Sequence, residues 1–249
     1  MRNSLLIQFY TISKPNLSKE EIEKFAIFWS KQNGNSSPNE IENIPSIAYE
    51  EDFQNSEKQS KIIKMSKTEH IDDFFENGKI LLGSFNYYKS FDNPEIGDSK
   101  EGSVVVVGES KVGTIFAGIA GGFNNYLFCC YDGDPDPEII KKFGYDDYFE
   151  IIDPEGFSQA INKSLKAVGR RRSKCLYRQH KALVGKTPNT YDYGKISSEL
   201  ENLVSQSKYF IKTSNFHHQK EYRFMWTTEE DIDDYTIIEC PEAIKYCKR

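Results

Sequence analysis

The segment Glu221-Tyr222-Arg223-Phe224-Met225-Trp226 alternates its side-chain character with the period of a strand. Side chains two apart on a strand share a face, so Glu221 and Arg223 stand together while Tyr222 and Phe224 point the other way. The segment reads as a half-buried strand, and a carboxylate beside a guanidinium on a rigid element marks a candidate site. Elsewhere, strand-like and helix-like stretches are mixed without strict βαβ alternation. That pattern predicts an α+β fold: one domain over 1–249, with a mixed, mainly antiparallel sheet and peripheral helices.

Local signals place the elements. Residues 5–12 read as an opening strand, and Ser18 with Glu21 three positions on forms a capping-box pattern. The helix that follows has Ile22, Phe25, Ala26 and Trp29 on its apolar face. Residues 34–60, rich in Asn, Ser, Glu and Pro, are expected to form a long surface loop. Residues 61–65 read as a strand, Thr68 as the cap of a helix buried through Ile71, Phe74 and Phe75, Gly78 as its stop, and 79–85 as the next strand. A polar loop is expected over 87–102, a strand over 104–107, and a tight turn at Gly118-Ile119-Ala120-Gly121-Gly122. Further strands are expected over 125–131 and 148–152. Asp153-Pro154 opens a helix, with a capping Asp and Pro at the first helical position. An amphipathic helix through Ile196, Leu200, Leu203 and Val204 and a late strand over 235–240 complete the expectation.

Apolar residues are only 38% of the chain, but 14% of it is aromatic, and each buried ring removes a large area from water. A core is therefore within reach. The net charge of −6 is unevenly spread: residues 156–191 hold nine Lys or Arg and no carboxylate, which leaves −15 for the rest. Arg170, Arg171, Arg172, Lys174 and Arg178 lie in this island. It can receive a nucleic acid backbone or an acidic protein, or pair with the chain's own acids, such as those of the 132–136 loop. Five cysteines without C-x-x-C, together with an apolar start too short for a secretory signal, point to a reducing cytoplasm. No stretch approaches membrane-spanning length.

Several chemistries lack their residues. Adjacent His217 and His218 diverge on extended backbone, and Cys175 and His180 are poorly spaced for zinc, so no metal is expected. Asp98, Lys100 and Glu101 crowd a single loop, unlike the acids of a magnesium nuclease. No G-x-S-x-G occurs, and Cys129 and Cys130 read as apolar strand residues. The glycine run at 118–122 has neither dinucleotide-binding nor P-loop spacing.

What remains is a constellation of Lys64, Ser84, Tyr87, Tyr88, Asp98, Glu101, Lys212, Glu221 and Arg223. The stretch from Ile62 to Gly102, followed by Lys212 and the Glu221-x-Arg223 strand, resembles an uncharacterised group of bacterial domains. These share a lysine-bearing strand, a helix, a glycine, a second strand, an acidic turn and a distant E-x-R strand. The opening is similar, more distantly, to ADP-ribosyltransferase-like toxins. That resemblance implies NAD as cofactor and a role in toxin, defence or phage–host conflict. It makes Glu221 the carboxylate at the ribose, Arg223 its orienting partner or a phosphate contact, and Lys64 the first-strand polar group. Ser84, Tyr87 and Tyr88 line the nicotinamide pocket, and Lys212 joins the cofactor-binding set. A carboxylate there acts on the cationic transition state of glycosidic cleavage. The chain departs from the better-known members in lacking a first-strand Arg or His; Gln219 does precede Glu221 by two. The alternatives are a binding module that docks a partner through the basic segment 163–186, and a nucleotide sensor that uses the same pocket without turnover.

Overall fold

The computed structural model describes residues 6–12, 17–53, 61–91, 93, 95–110, 113–186, 208–232 and 234–249. The architecture is α+β, with mixed, mainly antiparallel strand pairing and peripheral helices, and the strands divide over two large sheets and one two-stranded ladder. One large sheet has five strands in the order β1 (Leu6–Ile12), β6 (Gly113–Ala120), β5 (Ser103–Ser110), β11 (Ala182–Lys186) and β2 (Ala48–Tyr49). The other has eight. Its main path is β14 (Thr236–Glu239), β4 (Lys79–Ser84), β7 (Asn125–Asp132), β3 (Ile62–Ser66), β8 (Asp147–Ile151) and β15 (Cys247–Lys248). β13 (Glu221–Thr227) branches from β7 and carries β9 (Gly169–Lys174) on its far edge.

The helices form where capping and apolar spacing agree. In α1 (Lys19–Gln32) both arms of the capping box are made, Ser18 Oγ accepting from Glu21 N–H and Glu21 Oε2 accepting from Ser18 N–H. Ile22 and Ala26 of α1 pack on Val105, Val107 and Phe116 of the five-stranded sheet. In α5 (Pro154–Leu165), which follows the short α4 (Pro137–Lys142), the Asp153 carboxylate accepts from Gly156 N–H at 2.9 Å. This helix and α2 (Thr68–Asn77) cover one face of the eight-stranded sheet, where Phe74, Phe157 and Ile161 meet Phe128, Phe224 and Trp226. The opposite face, with Leu127 and Met225, packs on Phe85, Tyr209 and Phe210.

Several sequence expectations need correction. Thr68 is the first helical residue rather than the cap; Lys67 stands before it without a side-chain cap, and Asp146 supplies the missing acceptor to Thr68 N–H at 2.7 Å. The loop at 87–102 begins inside a short helix, α3 (Phe85–Lys89), capped by Ser84. Of the glycine run, 118–120 belongs to β6, and only Gly121-Gly122 turn the chain. Within 34–53 the chain returns to the core: Ala48–Tyr49 pairs in parallel with β11, and Ser36 bridges His180. The helix expected through 196–204 lies outside the described residues. Glu221 through Trp226 are buried on both faces, not one, because the second face is covered by the chain that joins the two sheets.

Candidate functional site

That connecting chain brings the site together. It runs through a turn at Lys208–Phe210, β12 (Ile211–Thr213) and a 3-10 turn at Ser214–Gln219 before entering β13. Alternation on β12 sends Ile211 into the five-stranded sheet, so its neighbour Lys212 faces the eight-stranded one. Glu221 and Arg223, on the face expected from their spacing, complete the arrangement. Arg223 Nε donates to Glu221 Oε1 at 2.6 Å. Its two terminal nitrogens grip Glu101 at 3.0 and 3.1 Å, a fork geometry suited to a guanidinium. Lys212 Nζ donates to Glu221 Oε2 at 2.8 Å and to Gln219 Oε1 at 2.6 Å.

Glu101 reaches the site because its loop folds inward. Asp98 closes the turn by accepting from Lys100 N–H at 2.8 Å, and its other oxygen lies 3.4 Å from the buried Lys181 ammonium. Gly102 ends the loop at φ +74, where an added Cβ would lie 2.4 Å from the Gly121 carbonyl oxygen. Asp98 thus shapes the turn, and both it and Glu101 also carry buried charge.

The electrostatics fix protonation. Burial pushes the Glu221 carboxyl upward, but the Arg223 and Lys212 charges outweigh it and hold the group well below the usual carboxylate range. Burial opposes the Lys212 ammonium, and Glu221 and Glu101 more than compensate. Burial pushes the Cys129 thiol up to about 12 and the Tyr88 phenol upward as well. Near neutral pH Glu221 is therefore an anion without a proton to donate, and Cys129 is not a thiolate nucleophile.

A cavity of about 80 Å³ opens on this network, room for a few waters or one small ring. Among its lining residues are Lys64, Tyr88, Cys129, Lys212, Glu221 and Arg223. It sits where the sheet divides: β4 pairs with β7 only at Leu127 and Tyr126, and β3 only at Asp132 and Tyr131. Lys64 reaches into the division and donates to the Cys129 carbonyl at 2.9 Å, its ammonium 4.4 Å from the centre of the Phe128 ring.

Six of the nine residues singled out from sequence, Lys64, Tyr88, Glu101, Lys212, Glu221 and Arg223, thus meet at the cavity, and Ser84, Tyr87 and Asp98 do not line it. Ser84 is buried as the cap of α3, its hydroxyl accepting from Tyr87 N–H at 3.0 Å. Tyr87 packs on Phe91 and Tyr235, away from the cavity lining. Sequence reasoning missed Glu95 and Gln219, which also line the cavity and bond each other, Gln219 Nε2 donating to the Glu95 carbonyl at 3.0 Å. Gln219 was visible only by its place two before Glu221, and Glu95 gave no signal at all.

Four of the five basic residues singled out in this segment pair with the chain's own acids. Arg170 and Arg172 bond Glu155 at 2.6 and 3.2 Å, and Lys174 pairs with Asp132 at 2.7 Å. Arg171, between them on β9, is half-buried. Arg178 turns inward, donating to the Ile47 and Tyr177 carbonyls and to Asp52, so it lies off any partner-facing patch. Among the described residues, no group of three or more His, Cys, Asp or Glu is placed to hold a metal ion, and no helix is long and apolar enough to cross a membrane. Comparison with known proteins returns no matching family model, no similar curated protein and no similar solved structure.

Proposed function

We propose that the cavity takes the nicotinamide ring of NAD, with the ribose at its mouth, and that the protein is an ADP-ribosyltransferase-like enzyme. The observation that carries this reading is the convergence of Lys64, Tyr88, Lys212, Glu221 and Arg223 on one cavity, with Glu221 held as an anion. In the proposed reaction the C1′–N bond breaks and its electron pair leaves with nicotinamide. The acceptor, water or another nucleophile, forms the new bond at C1′ and releases its proton to solvent. Glu221 opposes the positive charge that develops on the ribose, Arg223 and Lys212 hold its carboxylate in place, and Tyr88 packs against the nicotinamide ring.

One feature favours a second reading, a nucleotide sensor without turnover: both oxygens of Glu221 already accept bonds from cations. Nicotinamide release and thermal stability, measured together with NAD, separate the two. Release that disappears in Glu221→Gln supports the enzyme. A stability increase without release assigns the sensor, and neither response overturns both.

A further inference from the structure

One carboxylate on the cavity's rim ties three segments together. Glu95 stands on a tight turn: its N–H donates to Asn93 Oδ1 at 3.0 Å, and the Ile96 and Gly97 N–H groups donate to the Asn93 carbonyl at 3.0 and 2.8 Å. A Cβ added at Gly97 would lie 2.4 Å from the Phe91 carbonyl oxygen, so the chain is closely folded there. From this turn the Glu95 side chain reaches two cations on different elements. Oε2 lies 2.5 Å from His218 Nε2, in the 3-10 turn before β13, and Oε1 lies 3.1 Å from Lys142 Nζ, at the end of α4. Gln219 continues the link inward, donating to the Glu95 carbonyl and accepting from the Lys212 ammonium.

The two ends of this stretch are held in unlike ways. Glu95 and Ile96 line the cavity, as do Phe143 and Tyr145 just after α4, whereas Lys142 and His218 do not. Side-chain exposure is 50% at Lys142 and 38% at His218. It is 7% or less at Asp98 and Glu101 and at their partners Lys181 and Arg223. Burial pushes the Glu95 carboxyl up, but His218 and Lys142 outweigh it and hold the group below the usual carboxylate range. Half-exposed ion pairs of this kind break readily, while separating a buried pair is strongly unfavourable. The stretch therefore has a fixed end at 98–101 and a releasable end at Glu95. With the releasable end fastened, the cavity of about 80 Å³ admits nothing larger than a small ring.

We infer that Glu95 is a clasp on the cavity mouth. While it pairs with His218 and Lys142, the turn at 95–97 closes the rim. When those pairs break, the turn lifts away from the fixed Asp98 end, and the Glu221–Arg223–Glu101 network stays assembled beneath. The clasp sets access for whatever the cavity takes and does not rest on the NAD reading.

The probe is Cys129, which lines the cavity and whose thiol burial keeps un-ionised. Its labelling by methyl methanethiosulfonate, mapped by peptide mass spectrometry, reports how often the mouth opens. Glu95→Gln removes the charge at nearly constant shape and is expected to label Cys129 roughly three- to tenfold faster than wild type. Cys240, packed on the other face of the sheet, is expected to keep its wild-type rate, which separates local opening from general loosening. Added salt screens half-exposed pairs, so it should speed Cys129 labelling in the wild type and leave Glu95→Gln nearly unchanged. Equal Cys129 rates in the two proteins, or a rise at Cys240 matching that at Cys129, overturn the inference. A wild-type rate indifferent to salt overturns it as well, and decides the matter even if Glu95→Gln does not fold. Labelling needs no NAD, so failure here leaves the enzyme reading to its own test.

Discussion

The two faces of β13 solve burial in opposite ways. Towards α2 and α5 it presents Tyr222, Phe224 and Trp226, packed among rings; Phe157 lies 5.2 Å from Phe224 between centroids, and Trp226 donates its indole N–H to the Ser158 carbonyl at 2.9 Å. Towards the connecting chain the same strand presents Glu221 and Arg223, equally buried, among Glu101 and Lys212. The apolar face gains by leaving water and tolerates small losses of volume. The charged face gives up hydration on every group and is favourable only while each charge keeps its partners. One face is a gradual energy surface and the other is close to all-or-none, the difference expected between a packing layer and a site.

The sharpest way to break this comparison is Arg223→Met, which strips Glu101 and Glu221 of a shared cation. Removing one member of a buried pair costs about 3–5 kcal/mol, and urea unfolding should read a loss of that size. A loss no larger than that of a surface pair would mean that water already reaches the charged face. A smaller effect should come from acid. The Glu221 carboxyl titrates lower in the folded chain than its ordinary value of 4.5. Its contribution is therefore complete above that value and is lost as pH falls towards the folded pKa. Asp98, lowered by Lys181 and Lys212 against the opposing effect of burial, adds in the same direction. Unfolding free energy measured from pH 6 to pH 3, at roughly half-unit steps, should decline steadily, with a shallower slope in Arg223→Met if that variant folds. The smallest effect belongs to the apolar face. Ile161→Val should lower stability by about 0.5–1.5 kcal/mol and leave the acid slope unchanged, and an altered slope would show that the two faces are coupled.

The same contrast explains what could be read from sequence. Periodicity reports which side chains share a face, so the pairing of Glu221 with Arg223 and the separation of Tyr222 and Phe224 were legible. Local capping was legible too, at Ser18 with Glu21 and at Asp153-Pro154. The partners of the charged face were not, because they come from distant places: Glu101 is 122 residues from Arg223. In sequence Asp98 and Glu101 look like turn residues, and nothing local says that their loop folds inward. The pairing within the basic segment was illegible for a related reason. Composition counts Arg170, Arg172 and Arg178 alike, whereas the strand and the connection after it send the first two to Glu155 and the third to Asp52. Thr68 was misplaced by one position because its N–H is satisfied from Asp146, a residue no local rule would consult.

β13 also sets the order in which the molecule can be finished. It lies between β7 and β9, pairing along both of its edges, yet it follows both of them in the chain. Until Thr227 has left the ribosome, β7 and β9 are two open edges with a strand-wide gap between them, and the ring-lined face waits for Phe224 and Trp226. Long-range closure of this kind is slow, and exposed edges invite pairing with other chains. During synthesis, until Thr227 is in place, both edges stay open to pairing with other chains.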